Sequence, residues 1–362
     1  MRDWWRDWRI RLIANPEFRR KVSRIWPFSR VARRQARRLF DISAGFVYSQ
    51  TLMACVELDW FERLAKGPQS LNVLAAECNL DMSGVKRLAA AAAALDLLEW
   101  RGASAVALGQ LGAALIGDRG VVAMAAHHDL LYADLANPLA LLGGGERQTA
   151  LGEFWGYAKT DPKALSAERV RAYSQLMADS QPMVAEQVLA AFDFSDASRL
   201  LDVGGGTGAF VQAIGAAHPH IKYEIFDLPG VAELAAVTSE VAIVRHAGDF
   251  CSDPLPQGAD IVTLIRIIHD HDDDVVDQLL TNVRQSLSPG GVLLIAEPLA
   301  GSPGAETVGD VYFGFYLLAM GSGKARTIPE INRLLEQNGF APVRHHSTPV
   351  PLICSVLTTH AI

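Results

Sequence analysis

No two of the chain's four cysteines stand at metal-ligand spacing, and Cys55, Cys78, Cys251 and Cys354 are scattered over 362 residues. That usage argues against a structural zinc site or a disulfide framework and fits a reduced cytoplasmic protein. Uninterrupted apolar runs of the roughly 18 residues that a membrane-spanning helix needs are also missing. The longest candidates, Phe46–Val56 and Val311–Met320, are broken or too short. The N-terminus shows no apolar core followed by a small-residue cleavage site, so no secretory signal is expected. Apart from the Ala-rich Ala89–Ala94 there is no low-complexity block, and no internal repeat.

What is present is a chain long for one domain, half of it hydrophobic, for which two domains are the better expectation. The net charge of −7 hides an asymmetry: residues 1–38 hold 13 Arg/Lys against 3 Asp/Glu, a local +10, and the remainder carries −17. Four of the seven tryptophans, Trp4, Trp5, Trp8 and Trp26, lie in the same basic arm. On a helix Trp4, Trp5, Trp8 and Leu12 share a face with arginines around it, which suits a membrane interface and equally an arm packed on a dimer partner. An acidic body of this size is not that of a protein that wraps nucleic acid.

Residues 39–196 read as helical. The stretch "SLNVLAAECNLDMSGVKRLAAAAAALDLLEWRG" gives two helices joined by a turn, with Ser70 placed to cap the first and Ser83 the second. The following "AVALGQLGAALIG" suits a small β wing. The shape resembles a winged helix, but Pro68–Gly120 sets Lys86, Arg87, Arg101 and Arg119 against five acidic residues. A DNA reader needs a basic face, so dimerisation or a substrate lid is expected instead.

From residue 197 onward, apolar runs alternate with helical patterns, as in a doubly wound, mostly parallel α/β sheet. "RLLDVG", "KYEIFDL", "AIVRHAGD", "DIVTLIRII" and "GVLLIAEP" read as strands. Thr207–Ala217, Val231–Thr238 and Asp272–Leu287 read as helices between them, with further helices near Thr307–Met320 and Ile328–Asn338. "PVRHHSTPVPLICSVLTT" ends the chain as two strands joined tightly, an antiparallel hairpin that would complete seven strands.

The loop "LLDVGGGTGAF" follows a buried strand and opens a helix, where glycines let backbone approach a ligand at the helix N-terminus. Gly204, Gly206 and Ala209 also fit the dinucleotide fingerprint, so the loop alone does not choose between nicotinamide and S-adenosylmethionine. Asp202 stands two residues before the first glycine, and Asp227, followed by Leu228, ends the second strand, where a carboxylate can hold ribose hydroxyls. Asp249 can accept from an adenine amino group while Phe250 packs on its ring.

Taken in order with "YSQLMADS", "FDLPGV", "RIIHDHDDD", "LIAEP" and "GKARTIPEINRLLEQNGF", these motifs resemble the class I S-adenosylmethionine-dependent methyltransferases. More narrowly the chain is similar to the metal-independent small-molecule O-methyltransferases that carry an N-terminal winged-helix dimerisation domain. The resemblance implies a Rossmann-like catalytic domain from about residue 197, a homodimer, S-adenosylmethionine as methyl donor and no metal. It makes His269 the general base that removes the acceptor proton, with Glu297 and Glu330 orienting it. A neutral imidazole, with a pKa of about 6.5, can accept a proton near neutral pH while a carboxylate behind it stabilises the imidazolium. Arg266 fits either the methionine carboxylate of the donor or a buried structural role. His271 and Asp272–Asp274 read as a helix start favouring the dipole, and Asp270 approaches the cofactor or acceptor side.

Candidates for the acceptor pocket are Met177, Tyr173, Met320, Tyr316 and Phe313, with Met124, Tyr132, Phe154, Trp155 and Met183 around them. Met177 falls where the family clamps its acceptor. His127 and His128 either point into that cavity or sit on a helix surface. The Trp/Arg-rich start, "GFVYSQTLMACVELDWFERL" and "GDVYFGFYLLAMGSGKARTIPEI" resemble the carotenoid O-methyltransferases of purple photosynthetic bacteria. Those act on the tertiary 1-hydroxyl of acyclic hydroxycarotenoids of the demethylspheroidene or hydroxyneurosporene type. Some of those relatives are expected to carry tyrosine at the place of His269. C-methylation of a bacteriochlorophyllide, O-methylation of an aromatic or polyketide metabolite, and a non-catalytic regulator remain alternatives. The expected location is cytoplasmic, peripheral on the inner or intracytoplasmic membrane.

Overall fold

The computed structural model describes residues 2–117, 119–143, 145, 148–155, 167–232 and 241–362. They fall into two compact units, residues 1–117 and 118–362.

In the first unit, helices Arg2–Ala14 and Pro16–Val22 precede a long helix, Phe28–Glu57. Asn15 starts the second of these, its side-chain oxygen accepting from the Glu17 and Phe18 amides at 2.9 and 3.2 Å. By length and composition, Phe28–Glu57 reaches what crossing a membrane takes, with a mean hydropathy of 1.3 over 18 residues. An uninterrupted apolar run is still absent, because Asp41, Ser43, Tyr48, Ser49, Gln50 and Thr51 interrupt the stretch. The last turns of the helix bury Thr51, Met53 and Cys55, and Cys55 joins a core built on Trp60, Phe61, Leu74, Val85 and Leu98.

Helices Leu71–Glu77 and Met82–Ala94 form the expected pair. Ser70 caps the first, accepting from the Val73 amide at 3.3 Å. The second is capped by Asp81, which accepts from Gly84 at 2.7 Å, and not by Ser83, which the helix has already taken in. The strands β1 (Gln69–Ser70), β2 (Leu98–Arg101) and β3 (Ala105–Leu108) make an antiparallel sheet in the order β1-β3-β2. Past β3 the expected wing becomes a helix, Gln110–Ile116. It lies so close to β2 that a Cβ on Gly112 would stand 2.0 Å from the Leu97 carbonyl oxygen.

The second unit is built on β4 (Arg199–Val203), β5 (Lys222–Asp227), β6 (Ile243–Ala247), β7 (Ala259–Ile265), β8 (Leu287–Glu297), β9 (Arg344–His346) and β10 (Ser355–His360). Their order is β6-β5-β4-β7-β8-β10-β9, with β10 antiparallel to both neighbours. Residues 347–354 separate β9 from β10, a longer link than the tight turn expected. Alternate side chains go to opposite faces. Leu201, Val262, Leu264, Leu293 and Ile295 join one apolar cluster, whereas Leu200, Ile261, Ile265, Leu294 and Ala296 join the other. Burial on both faces is why these strands read as continuous apolar runs. Helix Ala209–Ala217 follows β4, and Pro229–Ala232 opens the helix expected at Val231–Thr238, whose remainder lies outside the described residues.

Helix Ala167–Ala191 buries Val184, Ala185 and Val188 in the second cluster. The compact units therefore divide at 117/118 and not at the expected 196/197, because this apolar face needs the sheet. The strand order reverses between β4 and β7, and in such sheets ligands bind outside the carboxyl ends of the strands at that point.

Candidate active site

The carboxyl end of β4 carries the glycine loop. Asp202, 2% exposed, accepts from the Thr263 hydroxyl of β7 at 2.6 Å. Burial pushes its carboxyl up to about 7, with the hydroxyl countering and the Asp227 charge adding. Gly204 and Gly206 have φ of +71° and +57°, the left-handed region that glycine enters freely. A Cβ on Gly204 would lie 2.3 Å from Ile267, whereas nothing stands within 4 Å of one on Gly206. The loop thus offers bare backbone to open space.

At the end of β5, Asp227 accepts from the Gly206 and Leu228 amides, each at 2.7 Å. Burial pushes it up to about 6 against the pull of those two donors. Each oxygen keeps a second lone pair, the acceptor set two ribose hydroxyls require. Beyond β6, Asp249 Oδ1 accepts from the Cys251 amide at 2.8 Å, and the Phe250 ring stands edge-on to His271 at 5.3 Å. Arg266 leaves β7 with φ +56°, a strained geometry for a residue with a Cβ. Its Nη2 donates to Ser180 at 2.9 Å and touches the Met177 sulfur at 3.6 Å. Its Nε is buried without a partner among the described residues, and a ligand carboxylate would satisfy it. These residues fit S-adenosylmethionine: a glycine cradle, a ribose carboxylate and a free cationic donor.

His269 follows in a single 3-10 turn, Ile268–Asp270, its side chain 8% exposed. Its Nδ1 bonds to Glu297, the last residue of β8. Glu297 is held by the Ile267 and Ile268 amides, each donating to Oε1 at 2.9 Å. On the other side, Asp270 Oδ1 lies 3.1 Å from His269 Nε2. Burial by itself favours the neutral ring, but the Asp270 and Glu297 charges more than offset it, and His269 titrates above its ordinary value.

Glu330 does not join His269. It closes a capping box, accepting from the Thr327 amide at 2.9 Å, and pairs with Lys324 at 2.6 Å. Those partners hold its carboxyl down to about 2. Asp270 supplies the second carboxylate instead, a contact sequence adjacency allowed but did not single out. The acidic turn also does more than favour a helix dipole: Asp272 accepts from the Gly323 amide at 3.0 Å and Asp273 from Arg326.

Arg326 is the residue that sequence reasoning missed. It is 2% exposed, donates to the Ile268 and His271 carbonyls and pairs with Asp273. It therefore grips the turn carrying His269 from both ends. Gly323 packs under the same turn, where a Cβ would stand 2.2 Å from the His269 carbonyl oxygen.

An aromatic array lies beside the base. Phe313, ending a π-helical segment Thr307–Phe313, stands edge-on to His269 at 5.4 Å; π-turns of this kind are frequent at functional sites. Next come Tyr312, 5.1 Å from Phe313, and Tyr316, 5.6 Å from Tyr312. His127 and His128 face these rings and not solvent: Nε2 of each meets the Tyr316 and Tyr312 hydroxyls respectively at 2.8 Å. The Trp155 indole donates to the same Tyr316 oxygen at 2.9 Å. Burial lowers both histidines, His128 to about 4, which keeps them neutral, and pushes the Tyr312 hydroxyl up. Met177 packs on this cluster, and Tyr316 and Met320 are buried within it. The Tyr173 side chain lies outside the described residues.

Residues 132–341 match the O-methyltransferase domain and residues 40–116 the O-methyltransferase dimerisation domain. The chain belongs to the O-methyltransferase family. The demethylspheroidene O-methyltransferase of Cereibacter sphaeroides is 40% identical to this O-methyltransferase, over 96% of the chain and 93% of the relative. The demethylspheroidene O-methyltransferase of Rhodobacter capsulatus is 43% identical over 91% of the chain and 83% of the relative. Human N-acetylserotonin methyltransferase, solved with S-adenosylmethionine, superposes with a TM-score of 0.76 at 26% identity, over 90% of this chain and 97% of its own. The enzyme is an S-adenosylmethionine-dependent O-methyltransferase, and its dimerisation domain supports a homodimer.

Proposed function

We propose that this O-methyltransferase methylates the 1-hydroxyl of an acyclic hydroxycarotenoid of the demethylspheroidene or hydroxyneurosporene type. The observation that carries the acceptor is the aromatic array beside His269, whose tyrosine hydroxyls, indole N–H and histidine Nε2 atoms are spent on one another. Tyr316 holds His127 and Trp155, and Tyr312 holds His128. Such an aromatic wall leaves few polar atoms for an acceptor to pair with, which favours a polyene over a small polar phenol. The demethylspheroidene relatives, matched over most of the chain, support the same acceptor. The fold-sharing alternatives, C-methylation of a bacteriochlorophyllide and O-methylation of an aromatic or polyketide metabolite, have no comparable support.

S-adenosylmethionine, when bound, supplies an electrophilic methyl group. Asp227, the Gly204–Gly206 backbone, Asp249 and Arg266 would hold it. The protein's remaining task is to align the acceptor oxygen, exclude water and take up a proton. A tertiary alcohol barely ionises, so its proton must leave as the new bond forms. With Nδ1–H directed to Glu297, that proton goes to Nε2, and the N–H formed points at Asp270 Oδ1, 3.1 Å away. The imidazolium that results lies between Glu297 and Asp270 and is stabilised by both. Met177, tethered to Arg266 through its sulfur, links the donor side to the acceptor side.

The test is transfer of label from methyl-labelled S-adenosylmethionine to a panel of solubilised hydroxycarotenoids, bacteriochlorophyllides and phenols. Label in a carotenoid methyl ether supports the reading, and label confined to tetrapyrroles or phenols overturns it. A membrane-dissolved acceptor also supports a cytoplasmic enzyme held peripherally at the inner or intracytoplasmic membrane.

A further inference from the structure

The N-terminal helices leave apolar side chains in solvent. Trp4 and Trp5 are 62% and 58% exposed, and Trp26 is 72% exposed. Trp4, Trp5 and Trp8 stack edge to face at 5.0 and 5.6 Å, a continuous aromatic ridge along helix Arg2–Ala14. In helix Phe28–Glu57 a second exposed stripe begins with Phe28, Val31 and Leu39. At 100° per residue these share one side of the helix, while Arg30, Arg33, Arg34 and Arg37 turn away from it. Apolar rings on one side with arginines around them is the pattern of a helix lying in a membrane interface.

We propose that residues 4–39 form a docking surface for an anionic lipid bilayer. Charge selects this occupant. The arm carries +10 and the rest of the chain −17, so an anionic surface attracts the one and repels the other, which fixes orientation. A second copy suits the arm less well, because a self-complementary contact would bring two +10 segments together. The dimerisation match moreover starts at residue 40, so the stripe's continuation through Ile42 and Phe46 belongs to that domain. The long helix lies on the bilayer and does not cross it: arginines crowd residues 30–38, and its final turns are buried in the core of its own domain. The surface draws on the proposed acceptor only for its purpose, which is to bring the site to a membrane-dissolved substrate.

The experiment is flotation of the full-length enzyme with phosphatidylcholine vesicles, with and without phosphatidylglycerol, at low and raised salt. The protein should float with anionic vesicles alone and detach in salt, and each arginine replaced by glutamine should weaken binding about five-fold. The Trp4→Ala/Trp5→Ala/Trp8→Ala and Phe28→Asp/Val31→Asp variants should stay at the bottom, bind S-adenosylmethionine normally and keep the wild-type oligomeric state. Three results overturn the proposal: no flotation of the wild type, equal flotation of the variants, or variants that fall apart to monomers, which would make a second copy the occupant. Flotation needs no acceptor. An enzyme that floats yet methylates only phenols would refute the carotenoid reading and leave this surface standing.

Discussion

Replacing Glu297 by glutamine separates the shape of the site from its charge. The glutamine carbonyl oxygen can still accept from the Ile267 and Ile268 amides now held at 2.9 Å, so the 268–270 turn should keep its place. The amide NH2 then faces His269 Nδ1 and donates to it, which drives the ring proton to Nε2. The atom that should accept the acceptor's proton would carry one instead. A buried hydrogen bond to a charged group is worth roughly 1.5–3 kcal/mol, which alone is ten- to about a hundred-fold in rate. Loss of the correct tautomer extends the expected fall in kcat to between about 10² and 10⁴. With only Asp270 left to oppose burial, the pH midpoint of kcat should also shift downward. The assay is initial-rate label transfer at saturating donor across pH, with calorimetric S-adenosylmethionine affinity and thermal unfolding as controls. A variant that retains wild-type kcat and an unmoved pH profile would refute the claim that Glu297 sets the tautomer.

In the wild type, His269 must be neutral to act and titrates above its ordinary value. The rate should therefore climb as pH rises through a midpoint above about 6.5 and then level off, and a rate that falls across neutral pH would contradict this. Glu330→Gln should leave kcat within about three-fold, because Glu330 caps a helix and does not touch His269; its cost appears in thermal unfolding, on the order of 0.5–2 kcal/mol for a damaged cap. Arg326→Met leaves the Ile268 and His271 carbonyls without their donor. It should cost about 1–3 kcal/mol per carbonyl and lower kcat at least about ten-fold by loosening the catalytic turn, with S-adenosylmethionine affinity unchanged and partial rescue by Arg326→Lys.

The catalytic sheet could be read from the chain because its strands are buried on both faces, which writes them as apolar runs closed by polar turns. The glycine loop declared itself for the same local reason, since backbone at φ above zero next to a ligand demands glycine. The pairing of His269 with Glu297 had no such local signal. Resemblance supplied it, and the register Ile265↔Ala296 explains it, bringing the ends of β7 and β8 side by side. Thr327 and Glu330 did carry a signal, the Thr-x-x-Glu spacing of a capping box, and it pointed away from the orienting role that resemblance implied. Arg326 and Thr263 were out of reach because a buried polar residue is defined by partners distant in sequence. The place of helix Ala167–Ala191 in the second compact unit was out of reach on the same ground, since it reads like any amphipathic helix until its packing partner is known.

The most direct measurement is methyl transfer from labelled S-adenosylmethionine to a hydroxylated acyclic carotenoid, wild type against His269→Ala, at the wild-type pH plateau. Label in the methyl ether that falls by about 10²–10⁴ in the variant, with donor binding intact, is the expected result. A variant that methylates the tertiary hydroxyl as fast as the wild type would show that His269, for all its two carboxylates, is not the base.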